Sequence, residues 1–512
     1  MSRRPNILFI TADQHRGDCF GFEGRAVKTP HLDQLAAEGV VFSACITPNP
    51  ICQPARASIL TGLLPRTHGV SDNGIDLDPE LGARGFAGSL SAGGYNTALI
   101  GKAHFATSHT FEATGTPECR ESMPDYDESW NGPYMGFDYV ELVVEGHNCH
   151  LPLSPPNGQH YERWFFADGR GDEKNALYEA NVGPDTKGAP QTWHSGLPVV
   201  WHNSTWVGDR TIAYLNERVD DEEPFCVWAS FPDPHHPFDC PVPWSLLHRP
   251  EDVDLPQHRT LDLDRRPWWH RAALEGKPQI REDLAEFREK FSRTPEVSDE
   301  QLREVIANYY GMVSLIDHNV GRILAELNRL GLDENTIVIY SADHGDWLGD
   351  HGLLLKGPMP YDGLLRVGCI IKGPNVPVGK RVEEPVSALD LAATMLDFAN
   401  VEPLMPMHSE SLKPLIESDT AVREFAFCEW DLRPSRTGHD LQLRTVRTKA
   451  HKLTVELISG VGELYDLVND PDEMNNVFED PAYQEVRSRL EAMIAARPDD
   501  ALPELLPQVG MA

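Results

Sequence analysis

Four stretches of the chain are nearly unbroken apolar runs of strand length: residues 6–12, 97–100, 225–230 and 336–341. A strand with one wet face alternates polar and apolar side chains. A strand without that alternation must be covered on both sides. Helical patterns lie between the runs. Thr29-Pro30 opens one that carries Leu32, Leu35 and Ala36 and stops at Gly39. A strand-like 40–42 follows it, and a helix-like 90–94 precedes the second run. Residues 301–330 keep apolar positions at helical spacing over several turns. This order predicts an α/β fold: a large mixed, mostly parallel sheet with helices on both faces.

The rest of the chain reads differently. Residues 110–210 are rich in Gly, Pro, Asn and Trp with weak periodicity, which predicts long loops and insertions. Beyond residue 405, stretches 424–430, 441–448 and 452–457 read as consecutive strands, and 481–496 as an amphipathic helix. The expected division is a catalytic α/β domain over 1–404 and a smaller C-terminal α+β domain with an antiparallel sheet over 405–512. From Pro498 onward a loose tail or an oligomer arm is expected, the latter consistent with a homo-oligomer.

Charge narrows the partners. Lys+Arg number 45 against 79 Asp+Glu, a net charge of −34. Nucleic-acid binding needs a basic face, and anionic membranes attract basic segments, so neither is an expected partner. A small anion remains open, because a site can be locally positive on an acidic protein. No run of 18 apolar residues occurs, and the first apolar run meets Asp13 at once, unlike a signal peptide. The nine cysteines, including Cys149, are odd in number and include no CxxC. A cytoplasmic protein with reduced, mostly buried thiols is expected.

In open α/β sheets, ligands bind beyond the carboxyl ends of the strands. Asp13-Gln14 follow the first run, and Gly101-Lys102-Ala103-His104 the second. Asp233-Pro234-His235-His236 follow the third, and Asp343-His344 the fourth. Four strand ends thus deliver carboxylate, amide, lysine and histidine to one edge. A fifth piece is Cys52-Gln53-Pro54-Ala55-Arg56. Pro54 suits a first helical turn, which places Cys52 at a helix N-terminus and Arg56 on the same side.

Cys52-x-Pro54-x-Arg56 followed by Thr61-Gly62 resembles the sulfatase signature of the alkaline phosphatase superfamily. The resemblance runs from about residue 6 to 400, and 463–473 resembles that family's tail. It implies a sulfuric ester hydrolase, arylsulfatase-like, whose Cys52 is oxidised to formylglycine by a separate maturation enzyme. It further implies one divalent metal on Asp13, Gln14, Asp343, His344 and the modified Cys52. Arg56 would orient the nucleophile, and Lys102 would contact the sulfate. His104 would act on the hydrate's second hydroxyl, while His235 and Lys356 serve the leaving group. Asn73 falls at a substrate-binding position. The substrate would be a small-molecule sulfate ester.

Many relatives carry Asp-Asp and Asp-Asn where this chain has Asp13-Gln14 and Asp343-His344. The pattern resembles choline-sulfatase-like enzymes and phosphonate monoester hydrolases. An amide and an imidazole soften the ligand set, so Ca²⁺ is joined by Mn²⁺ as a candidate. The alternatives are a phosphonate monoester hydrolase or phosphodiesterase of the same fold, a non-catalytic metal- or anion-binding homologue, and a hydrolase using the unmodified thiolate. Trp130, Tyr134, Trp164 and Phe165 are candidates for an aryl pocket or for loop packing.

Overall fold

The computed structural model describes residues 4–144, 146, 151–294 and 296–511; Cys149 lies outside them. Eight strands form the main sheet: β1 (Asn6–Ala12), β2 (Val40–Phe42), β3 (Asn96–Gly101), β4 (Tyr139–Leu142), β5 (Phe225–Phe231), β6 (Thr336–Ala342), β7 (Cys369–Lys372) and β8 (Lys380–Val382). Their spatial order is β8-β2-β7-β6-β1-β5-β3-β4. Only β7 runs antiparallel to its neighbours. The expected mixed, mostly parallel sheet is therefore what forms.

The continuous apolar runs find cover on both sides. Along β1, Ile7 and Phe9 enter one core, while Leu8, Ile10 and Ala12 enter the other. Helices α1 (Pro30–Ala37), α2 (Cys52–Thr61), α3 (Asn203–Glu217), α4 (Glu282–Phe291) and α5 (Asp299–Arg329) occupy the connections. Val207 of α3 and Ile316 and Val320 of α5 fill the second core; Ala57, Ile59 and Leu60 of α2 fill the first. Each such burial contributes roughly 1.5–3 kcal/mol for a large aliphatic or aromatic side chain. Ser298 and Gln301 form a capping box that starts α5 at its sequence-predicted end.

Register aligns the chemistry. Ala12 pairs with both Phe231 and Ala342, and Gly101 with Ser230. Four parallel strands therefore end at one level, and the residues that follow them share one edge.

Three expectations need correction. The 110–210 region contains β4 and two short helices, His160–Phe166 and Gly171–Glu179. These helices are short and mostly polar outward, so their periodicity was weak. The C-terminal sheet has four antiparallel strands, β9 (Ala426–Leu432), β10 (Leu441–Arg447), β11 (His451–Glu456) and β12 (Gly462–Asp466), backed by helix α6 (Gln484–Ala495). The last strand escaped notice because its five residues mix Gly, Glu and Asp with Leu and Tyr. The tail from Pro498 is not loose. It folds back on its own chain, with Gly510–Met511 paired to His109–Thr110 and Met511 buried. No helix among the described residues is long and apolar enough to cross a membrane.

Candidate active site

Cys52 is the first residue of α2, and its Sγ is fully enclosed. Lys356 Nζ stands 2.8 Å from it, His344 Nε2 3.1 Å and Asp13 Oδ1 3.7 Å. One atom each from Asp13, Cys52, Asp343 and His344 lie within 4.8 Å of one another. The helix start brings its positive dipole end to this point.

Cations surround the two carboxylates. Arg56, four residues along α2, donates from Nε to Asp343 Oδ2 at 2.9 Å. Its Nη1 donates to Lys102 O (2.8 Å) and Ser230 Oγ (2.9 Å). Lys102 Nζ sits 2.6 Å from Asp13 Oδ2. Burial pushes the Asp13 carboxyl up, but Lys102, His235, Lys356 and Arg56 hold it well below the usual carboxylate range. Burial and Asp13 likewise push the Cys52 thiol up, and Lys356, His344 and Lys102 outweigh them.

The donors fit a divalent metal. His344 Nδ1 lies 2.9 Å from Gly345 O, which fixes the ring proton there and turns the Nε2 lone pair toward Cys52 and Asp13. Gln14 adopts a left-handed φ of 67°, held by its N–H on Asp343 Oδ1 and by the Tyr309 hydroxyl on its carbonyl. Its Nε2 donates to Asp346 at 2.5 Å, while its Oε1 is buried with no hydrogen-bond partner among the described residues. A buried carbonyl without a donor costs stability unless a cation uses it.

The leaving-group side is built from Lys356 and His235. Their Nζ and Nε2 are 2.9 Å apart, and His235 Nδ1 lies 2.5 Å from His236 O. Burial, Lys356 and His236 hold the His235 imidazole well below its ordinary pKa. His235 is therefore neutral, with Nε2 as the acceptor of a lysine proton. Asn73 Oδ1 accepts the N–H of Gln53 at 3.0 Å, capping the start of α2. His104 lies at the rim, partly exposed, on the loop that also carries Lys102.

The family profile described as "Sulfatase" matches residues 5–401, and "N-sulphoglucosamine sulphohydrolase, C-terminal" matches 349–499. The chain belongs to the sulfatase family. It is a sulfuric ester hydrolase of the alkaline phosphatase superfamily. It is 29% identical to an arylsulfatase of Clostridium perfringens, covering 94% of this chain and 92% of that one. It is 27% identical to a choline-sulfatase of Rhizobium meliloti, covering 93% and 83%. A solved phosphonate monoester hydrolase of Agrobacterium radiobacter superposes with a TM-score of 0.75 at 26% identity, covering 99% of each chain.

Several residues of this sulfatase's site carried no sequence signal. Glu118, far along an irregular segment, accepts the backbone N–H groups of His104, Phe105 and Ala106 and the hydroxyl of Tyr134. It clamps the loop that carries Lys102 and His104. Thr47 Oγ1 holds Asp343 O, and Ser230 receives Arg56. Asp346 stands two residues beyond His344, close enough to have been suspected from the Asp-His-Gly-Asp string. The aromatic candidates pack in the insertion. Trp130 meets Tyr126 and His160, and Trp164 and Phe165 meet Tyr161; Tyr134 serves Glu118.

Proposed function

We propose that this enzyme cleaves sulfate monoesters at Cys52 after a maturation enzyme has oxidised that side chain to formylglycine. The observation that carries the reading is the placement of Cys52 Sγ against Lys356, His344 and Asp13 at a helix N-terminus. In the matured enzyme that sulfur position belongs to the hydrate oxygens. Asp13, Gln14, Asp343 and His344 would hold one divalent ion, Ca²⁺ or Mn²⁺. Bound there, the ion supplies Lewis acidity, and the hydrated aldehyde supplies a nucleophile with a second hydroxyl for releasing sulfate.

The chain's own residues do the rest. Arg56, Lys102 and Lys356 offset the negative charge of the ester. Lys356 holds the proton for the departing oxygen, since its neighbour His235 is neutral and can only accept from it. His235 thereby orients the ammonium toward the leaving group. His104, on the rim, is the base for the hydroxyl that expels sulfate. The Asn73 amide, whose oxygen already caps α2, offers its nitrogen to the substrate.

A phosphonate monoester hydrolase is the second reading. It is favoured by the Gln14–His344 ligand pair and by similarity to the Agrobacterium enzyme. The Lys102 and His104 pair favours sulfate, because those relatives typically carry hydroxyl residues there. Turnover of an aryl sulfate beside an aryl phosphonate monoester separates the two. Mass spectrometry of the Cys52 peptide, with metal analysis of the same active preparation, tests the modification. An unmodified thiol in fully active protein would sink it.

A further inference from the structure

A small cleft of about 70 Å³ opens beside Lys356, whose Nζ lies 2.8 Å from Cys52 Sγ. It is therefore one lysine side chain away from the reacting centre, on the leaving-group side. Its lining combines four cations, Arg288, Arg293, Arg436 and Lys356, and the carboxylate of Glu296 with apolar walls such as Trp347 and Leu353.

These arginines are not equally satisfied. Arg436 is bidentate to Asp72, with Nε at 2.9 Å and Nη2 at 2.8 Å. Asp72 is thus committed, and it precedes Asn73 at the start of α2. Arg288, on α4, is 4% exposed, and its Nε and Nη2 meet no hydrogen-bond acceptor among the described residues. Burial and the nearby Arg436 push its guanidinium down to about 9, although the Asp72 carboxylate pulls the other way. A guanidinium presents five donors and is costly to bury without acceptors. The one carboxylate close enough to act on Arg288, Asp72, is hydrogen-bonded to Arg436, so the donors of Arg288 suit an external oxyanion.

We propose that the Arg288–Arg436 cleft is a subsite for a second oxyanion, a carboxylate or a further sulfate, on the leaving alcohol of the substrate. The preferred substrates are then dianionic sulfate esters rather than monoanionic ones with an uncharged aryl or alkyl leaving group. The inference rests on the sulfatase reading of the adjoining site.

The test uses the matured holoenzyme with three esters: methyl 4-(sulfooxy)benzoate, 4-(sulfooxy)benzoate and 1,4-phenylene disulfate. The expected result is a higher kcat/KM for at least one dianionic ester relative to the monoanionic methyl ester. The better of the two identifies the oxyanion. Arg288→Gln should lower that ratio about tenfold, as the loss of a charge-assisted pair would. A ratio needs no knowledge of the folded fraction. A ratio unmoved by Arg288→Gln overturns the proposal.

If wild type hydrolyses none of the sulfates, the sulfatase reading fails and binding decides the subsite. Calorimetry then compares 4-hydroxybenzoate with its methyl ester on wild type. Tighter binding of the carboxylate supports the subsite, and equal binding overturns it. This arm also serves if the variant does not fold.

Discussion

Two buried side chains show how single residues make this site. Cys52 has a lysine, a histidine and a carboxylate around its sulfur. Cys52→Ala should reduce kcat about 10³-fold or more while the protein stays folded, measured as aryl sulfate turnover beside a melting curve. Glu118 works at one remove. Burial pushes its carboxyl from 4.5 up to about 7, against the pull of Tyr134 and the amides of residues 104–106. The folded state thus binds this proton more tightly than the unfolded chain. Its contribution to stability is fully present below about pH 4.5 and is lost as pH rises through 7. Glu118→Gln cannot ionise, so its Tm should lack that decline, worth about 3 kcal/mol across the window. A variant whose Tm tracks wild type from pH 4.5 to 7 would count against this account.

At the scale of elements, the C-terminal tail is the unexpected part. Leu502 N–H donates to Arg66 O, Val509 N–H to Gly74 O, and Phe111 N–H to Val509 O. The tail therefore straps together the 72–74 loop beside α2 and the 109–111 strand that follows the Lys102 loop. Gly74 is a tight point: its φ is +91°, and a Cβ there would meet Gly510 O at 2.4 Å. Gly74→Ala should cost about 2–3 kcal/mol in stability, read by urea unfolding, because both strain and backbone clash oppose it. Truncation after Pro498 should lower kcat/KM by freeing the same two loops. Unchanged kinetics in the truncated enzyme would show that the strap is only structural. The sequence of this tail is short, proline-punctuated and without periodicity, so nothing local announces the contact.

The whole molecule carries −34 charges, yet its catalytic pocket gathers Arg56, Lys102 and Lys356 around two carboxylates. Mutual repulsion on the surface opposes compactness and is screened by salt. Tm should therefore rise by several degrees, about 3–6 °C, between 10 and 200 mM NaCl, and calorimetry at constant pH checks it. A flat or falling response would mean that local ion pairs dominate. What the sequence determined by itself was whatever depends on near neighbours. Apolar runs in β1, β3, β5 and β6 needed two covered faces, and that alone implied the sheet and the edge where Asp13, Lys102, His235 and Asp343 emerge. Cys52 and Arg56 share one helix, so their spacing was readable. Only the tertiary structure could decide what depends on distant segments meeting. Glu118 under the Lys102 loop, the Arg436–Asp72 pair 364 residues apart, Arg288 left without an acceptor and the returning tail are of this kind. A single carboxylate or arginine reads as solvated surface until packing removes the water and names its partner.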